Sequence, residues 1–163
     1  MSESVNNSQL SAELPLPAHD ESVLDVEVEL LEFCKTKSIS VEGLREIIKR
    51  HGITVCKNVE CYEFFRSACS NERVTEEIIQ CLLEYFPDAA SATDDISGQM
   101  SLHMACMNSN VRLNIIQLII DAAPDSVRSV DCDGSMPLHC LCDNDNDVGE
   151  VSSRETPRSG QAC

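Results

Sequence analysis

The chain has 163 residues, enough for one domain of ordinary size, and 42% of them are hydrophobic, enough to supply a core. Twelve basic residues against 28 acidic ones leave a formal charge of −16, which argues against nucleic acid and anionic membrane as partners, because both require positive surface. Aromatics make up only 4% and tryptophan is absent, so a core must be built in slim layers from Leu, Ile, Val and Ala.

Residues 1–26 are rich in Ser, Asn and acid, carry Pro15 and Pro17, and contain no Lys or Arg; they read as a disordered acidic tail. The opening Met1-Ser2-Glu3-Ser4 lacks the positive, then apolar, character of an export signal. The longest apolar cluster, Ile115–Ile120, is interrupted by Gln117 and is far too short to span a bilayer. A cytoplasmic or nuclear location follows as the expectation.

From residue 27 to 147 the chain nearly repeats itself. Leu102-His103-Met104-Ala105-Cys106 returns 36 residues later as Leu138-His139-Cys140-Leu141-Cys142, and Gly98 returns as Gly134. A shift of 37 lays Phe65–Cys69 on Leu102–Cys106, Ile78–Leu83 on Ile115–Ile120, and Pro87-Asp88 on Pro124-Asp125. One additional residue near Asp94–Ser97 absorbs the difference. A fainter copy precedes these, with Cys34 standing 35 before Cys69. Units are expected near 28–52, 61–87 and 98–123, with a partial fourth at 134–147. A period in the ~20–50 range points to stacked supersecondary units, which work by presenting a surface.

Each unit reads as two short helices. Leu102, Ala105 and Cys106 form the i, i+3, i+4 stripe of one, and Ile115, Ile116, Ile119 and Ile120 that of the other. Ser and Thr side chains favour helix starts; Thr75 is placed to cap the second helix of the second unit, ahead of Glu76 and Glu77. Gly52, Pro87 and Pro124 stop the second helices, and Asp131-Cys132-Asp133-Gly134 signals a turn between units.

Asp131-x-x-Gly134-x-Met136-Pro137-Leu138-His139 resembles the opening of an ankyrin repeat, Asp-x-x-Gly-x-Thr-Pro-Leu-His, and Asp95-x-x-Gly98-x-Met100-Ser101-Leu102-His103 resembles it nearly as well. The chain is similar to a divergent variant of 36–37 residues, of the type expanded in unicellular algae, against the usual period of about 33. The resemblance implies an all-α, ankyrin-type helical solenoid of about three helix pairs plus a partial fourth, joined by hairpin-like turns. It also implies that Gly98, Leu102, His103, Cys106, Gly134, Pro137, Leu138, His139 and Cys142 belong to the scaffold, the histidines tying hairpin to helix. Met100 and Met136 replace the usual Thr, and the second unit has Arg66 for His and no Gly at Cys61, so its turn must differ.

Ten cysteines invite a metal or redox reading, and His103, Cys106, His139, Cys140 and Cys142 could be drawn as a zinc site. No Cys-x-x-Cys occurs, however, and Cys69, Cys106 and Cys142 share one position of successive units, where a small buried hydrophobe suffices. Asp143-Asn144-Asp145-Asn146-Asp147 fails as an EF-hand, since its sixth and twelfth positions are Val148 and Arg154. No phosphate loop, dinucleotide turn or nucleophile elbow is present. After Cys142 the pattern calls for a second helix, yet residues 148–163 read as a polar, disordered tail with Cys163 as its reactive thiol, so the last helix is expected to fray.

The function implied is a non-enzymatic protein–protein interaction module or scaffold, monomeric and without cofactor or metal. Its binding face, carried over from the family, comprises Ile96, Ser97, Gln99, Met107 and Asn108, continued by Cys132, Asp133, Ser135, Asp143 and Asn144. The alternative is a cysteine-based, redox-sensitive or metal-binding intracellular protein.

Overall fold

The computed structural model describes residues 21–56, 59 and 61–144. Residues 1–20 of the tail expected at 1–26, the tail expected at 148–163 with Cys163, and the stretch Asp145–Asp147 lie outside these residues. Among the described residues eight α-helices follow one another: α1 Glu21–Lys35, α2 Val41–His51, α3 Ile53–Cys56, α4 Glu63–Ser70, α5 Glu76–Tyr85, α6 Ser101–Met107, α7 Leu113–Ala122 and α8 Pro137–Asn144. Short 3-10 turns at Pro87–Ala90 and Pro124–Arg128 follow α5 and α7. Among the described residues, extended pairing is limited to an isolated antiparallel bridge between Thr93 and Met100.

The helices pack in two rows. One runs α1, α4, α6, α8, and behind it stand α2, α5 and α7. Between the rows lie Leu30, Leu44, Phe65, Ile79, Leu82, Ile115 and Ile119, all essentially inaccessible to water. Phe64 meets Phe86 edge to face with ring centres 4.9 Å apart. None of these helices is long enough to be stable alone, so burial of the shared stripe supplies most of the stability.

Local signals act largely as the residues suggest, with four differences. First, α1 begins at Glu21, inside the stretch assigned to the tail, because Val26, Leu30 and Cys34 make a fully buried stripe. Second, Thr75 occupies the N-cap of α5 without capping a backbone N–H; its hydroxyl goes to the Glu77 carboxylate instead. Ser40 does cap α2, accepting from Gly43 N at 3.2 Å. Third, Gly52 ends α2, its N–H bonding Ile48 O, but the short helix α3 follows at once and buries Cys56. Fourth, the second unit, lacking a turn glycine, ties Cys61 N to the Glu27 carboxylate at 3.2 Å.

The far end is incompletely covered. In α5, Ile78, Ile79, Cys81 and Leu82 are all buried, whereas α7 buries only Ile115 and Ile119 of the matching positions. Leu113 is 78% exposed and Leu138 is 61% exposed, because no helix among the described residues packs beyond α7 and α8. Leu138, His139 and Cys142, expected within the scaffold, therefore face outward, while Leu102, His103 and Cys106 at the same positions one unit earlier are buried. Pro137 is buried.

Candidate protein-binding surface

Two hairpin-like turns flank the row α1–α4–α6–α8. In the turn before α6, Gly98 N donates to Asp94 O at 2.8 Å and Asp94 N to Gln99 O at 2.9 Å. In the turn before α8, Gly134 N donates to Asp131 O and Asp131 N to Ser135 O, each at 3.0 Å. Gly98 and Gly134 have φ of +66° and +76°, a region that costs a side-chain-bearing residue about 1–2 kcal/mol. Asp94, rather than Asp95, thus does the work of Asp131, and the additional residue of the 37-residue step sits inside the turn. Asp95 is left exposed at the tip.

The two aspartates organise their turns through hydrogen bonds to the ionised carboxylate. The Ser97 hydroxyl and backbone N–H, at 2.6 and 2.8 Å, hold the Asp94 carboxyl below its usual range. The Ser135 and Asp133 backbone N–H groups and the Gln99 side chain do the same for Asp131, that of Ser135 contributing most. The turns also join each other, Cys132 N donating to Ser97 O at 2.8 Å.

Each turn is gripped by the preceding helix. His103 Nδ1 accepts Met100 N–H at 3.1 Å, and its Nε2 lies 3.1 Å from Ser135 O in the next turn. An N–H donated to Nδ1 leaves Nε2 as the protonated nitrogen, so the buried ring is a neutral bridge donating to Ser135 O. Arg66, at the same position of α4, reaches Asp94 in the next turn at 2.8 Å. His139 repeats the local half of the pattern, accepting Met136 N–H at 3.0 Å.

A second set of cross-links is made by asparagines. Asn71 Nδ2 donates to Cys34 O and Thr36 O, both at 2.8 Å. Asn108 Nδ2 donates to Cys69 O at 2.9 Å and Asn71 O at 3.0 Å, and Asn144 Nδ2 to Cys106 O at 3.3 Å. Each amide satisfies carbonyls left open at the end of the preceding helix in the row. Asn108, at 7% exposure, and Asn144 are consequently scaffold residues and not part of a binding face. Their recurrence after 37 and 36 residues was the available sequence signal, and a polar residue after a helix looks the same whether it meets water or a backbone carbonyl.

The remaining residues assigned to the face differ in exposure. Ile96 is 92% exposed at the tip of its turn and Met107 is 49% exposed at the end of α6. Cys132, Asp133 and Asp143 are exposed. Ser97, Gln99 and Ser135 are half-buried, each engaged in the turn contacts above. Beside them runs a groove of about 650 Å³, lined among others by Lys35, Lys37, Arg66, Arg73, Ser97 and Gln99. Its basic residues were not singled out in the sequence, where they fall in different units.

The thiols have little reactive character where they are buried. Desolvation pushes Cys34 up to about 12 and Cys106 to about 11, and raises Cys69 further still. Among the described residues, no three His, Cys, Asp or Glu side chains converge as a metal site would require. No helix among them is long and apolar enough to cross a membrane. Comparison with family models, with curated proteins and with solved structures returned no match to this chain, so the geometry of this surface carries the functional reading.

Proposed function

We propose that the chain is a non-enzymatic protein-interaction module of the ankyrin type: a helical repeat solenoid that acts as a monomer in the cytosol or nucleus and binds another protein along its turn-bearing side. The observation that carries this reading is the regular cross-linking of successive units. Asn71, Asn108 and Asn144 donate to the helix before them, while Arg66 and His103 reach the turn after them. Polar side chains spent on the scaffold in this way leave Ile96, Met107, Cys132 and Asp133 presented to solvent. Isolated exposed apolar residues are common; Ile96, at the tip of a turn whose Ser97 and Gln99 line the groove, suits a partner.

The test uses the full chain as bait in extract from the source cells, alongside an Ile96→Asp/Met107→Asp variant. The variant should lose the captured protein while its far-UV circular dichroism and melting temperature stay unchanged. Undiminished capture would remove the face from consideration. Stoichiometric zinc or iron in the purified protein would favour the thiol-based alternative.

A further inference from the structure

The last layer of the stack leaves open a side that the layer before it covers. Asn114 Nδ2 of α7 donates to the Glu76 carboxylate of α5, so the side of α5 that carries Glu76, Ile79 and Leu83 is the one on which α7 sits. Shifted by 37, those positions are Leu113, Ile116 and Ile120, a stripe at i, i+3 and i+7 of α7. Glu76 is half-buried and Ile79 fully buried, whereas Leu113 is 78% exposed and Ile116 is half-buried. The 3-10 turns repeat the contrast. Ala90, in a turn that α7 contacts, is buried, and Val127 at the same place of the last turn is 42% exposed. A terminal repeat that meets only water carries a polar outer face, yet this one has leucine where α5 has glutamate.

Charge and sequence say what fits there. Residues 112–130 carry Arg112 and Arg128 against Asp121 and Asp125 and sum to zero, while α1 at the opposite end holds five acidic residues and one basic one. In a chain of −16, the α7 end is therefore the end at which two copies can meet without like-charge repulsion. Residues 145–163, next after α8, offer only Val148 and Val151 as large apolar side chains, too few to match the stripe. We infer that two copies of this chain pair through the α7 end, the two α7 helices antiparallel about a twofold axis, with Leu113 of each over Ile120 of the other. Because α7 stands in the row behind the turns, each copy keeps its turn-bearing side open, and the pair offers a partner two sites at once. The inference goes beyond the reading above and does not depend on it. A seam along α7 is only ~15 Å long, smaller than a permanent interface requires, so the chain is single when dilute and pairs as its concentration rises.

The experiment is sedimentation equilibrium of the full chain between about 1 and 200 µM, in reductant so that no thiol cross-links. The mass should move from one chain to two and no further. Raising NaCl from about 0.05 to about 0.5 M should tighten the pair, because salt screens the repulsion between two acidic chains and leaves apolar burial in place. Leu113→Glu with Val127→Glu should weaken pairing at least about tenfold, and Leu113→Gln alone is a milder form read the same way. Val28→Glu with Ile53→Glu at the opposite end, and Ile96→Asp with Met107→Asp on the turn-bearing side, should leave it unchanged. All six positions are exposed, and circular dichroism checks that each variant folds. A single chain throughout the concentration range, pairing that salt weakens, or pairing insensitive to the Leu113 changes would each overturn the proposal. So would open-ended growth abolished by the Val28/Ile53 change, which marks head-to-tail stacking. If pairing fails while Ile96→Asp/Met107→Asp still abolishes partner capture, the dimer falls and the binding side stands. If that turn-side variant abolishes pairing instead, the contact lies on the turn-bearing side and both readings fall.

Discussion

Replacing Asn108 with Ala should cost more stability than its place at a helix end suggests. The side chain makes three hydrogen bonds: Nδ2 to Cys69 O and Asn71 O, and Oδ1 from Asn110 N–H at 3.0 Å. A net ~1 kcal/mol per bond, plus the cost of leaving the buried Cys69 carbonyl without its donor and less the water that can reach half-buried Asn71, puts the loss at ~2–4 kcal/mol. Against a total of ~5–15 kcal/mol for a domain of this size, that is a substantial fraction. With a urea slope of ~1–3 kcal/mol per molar, the unfolding midpoint should fall by about 1–2 M. Far-UV circular dichroism in a urea series measures it, with the exposed neighbour Ser109→Ala as the control. Asn108→Asp, which keeps the shape but turns a negative oxygen toward two carbonyls, should be at least as damaging. An Asn108→Ala midpoint within ~0.3 M of the parent, combined with lost partner capture, would refute the scaffold role and return Asn108 to the binding face.

His103→Ala removes the bridge from Met100 N–H to Ser135 O and leaves a buried space, so it should destabilise by ~2–4 kcal/mol, whereas the exposed His139→Ala should cost under ~1 kcal/mol; urea titration separates them. Gly134→Ala meets no neighbouring atom yet must hold a positive φ, predicting a loss of ~1–2 kcal/mol in the same assay. Asp94 and Asp131 have carboxyls held below the ordinary value of 3.8, so their stabilisation is complete above that pH and is lost as pH falls through the lower folded values; replacing either with Asn should flatten the acid limb of a stability-versus-pH curve below about 4. With a disulfide reagent at pH 8, exposed Cys61, Cys132 and Cys142 should react in the native state, and Cys34, Cys69 and Cys106 only after denaturant is added.

The helices from α4 to α7 were legible because their apolar residues recur at the helical period, and α5 and α7 are stopped by Pro87 and Pro124. The start of α1 was not. Val23, Val26 and Leu30 are separated by Asp25, Glu27 and Glu29, and the β-branched, acid-interrupted run resembles a polar tail until the packing of Val26 against the core is seen. Burial at a repeat position also depends on a neighbour that the local sequence does not contain. Leu102 and Leu138 occupy one position of one motif, yet among the described residues only Leu102 has a helix on both sides of its row. Ile96, Met107, Cys132 and Asp133, assigned to the face from the sequence, are exposed. The groove was not legible, since Lys37, Arg66 and Arg73 come together only once α1 and α4 are packed.

The bonds that tie one helix pair to the next span only 28 to 39 residues, from Arg66–Asp94 to Asn108–Cys69. Such separations do not lengthen as pairs are added, so the entropic cost of closing each new contact is the same at the second pair as at the fourth. Assembly can then proceed as a zipper does, each closed tooth placing the next within reach, and folding speed becomes a property of the pair and not of the whole chain. The same short reach works in reverse under mechanical load or heating. Detaching α8 frees the Cys106 carbonyl and the Ser135 acceptor but leaves the Asn71 and Asn108 contacts intact, so damage at that end is contained by the next intact link.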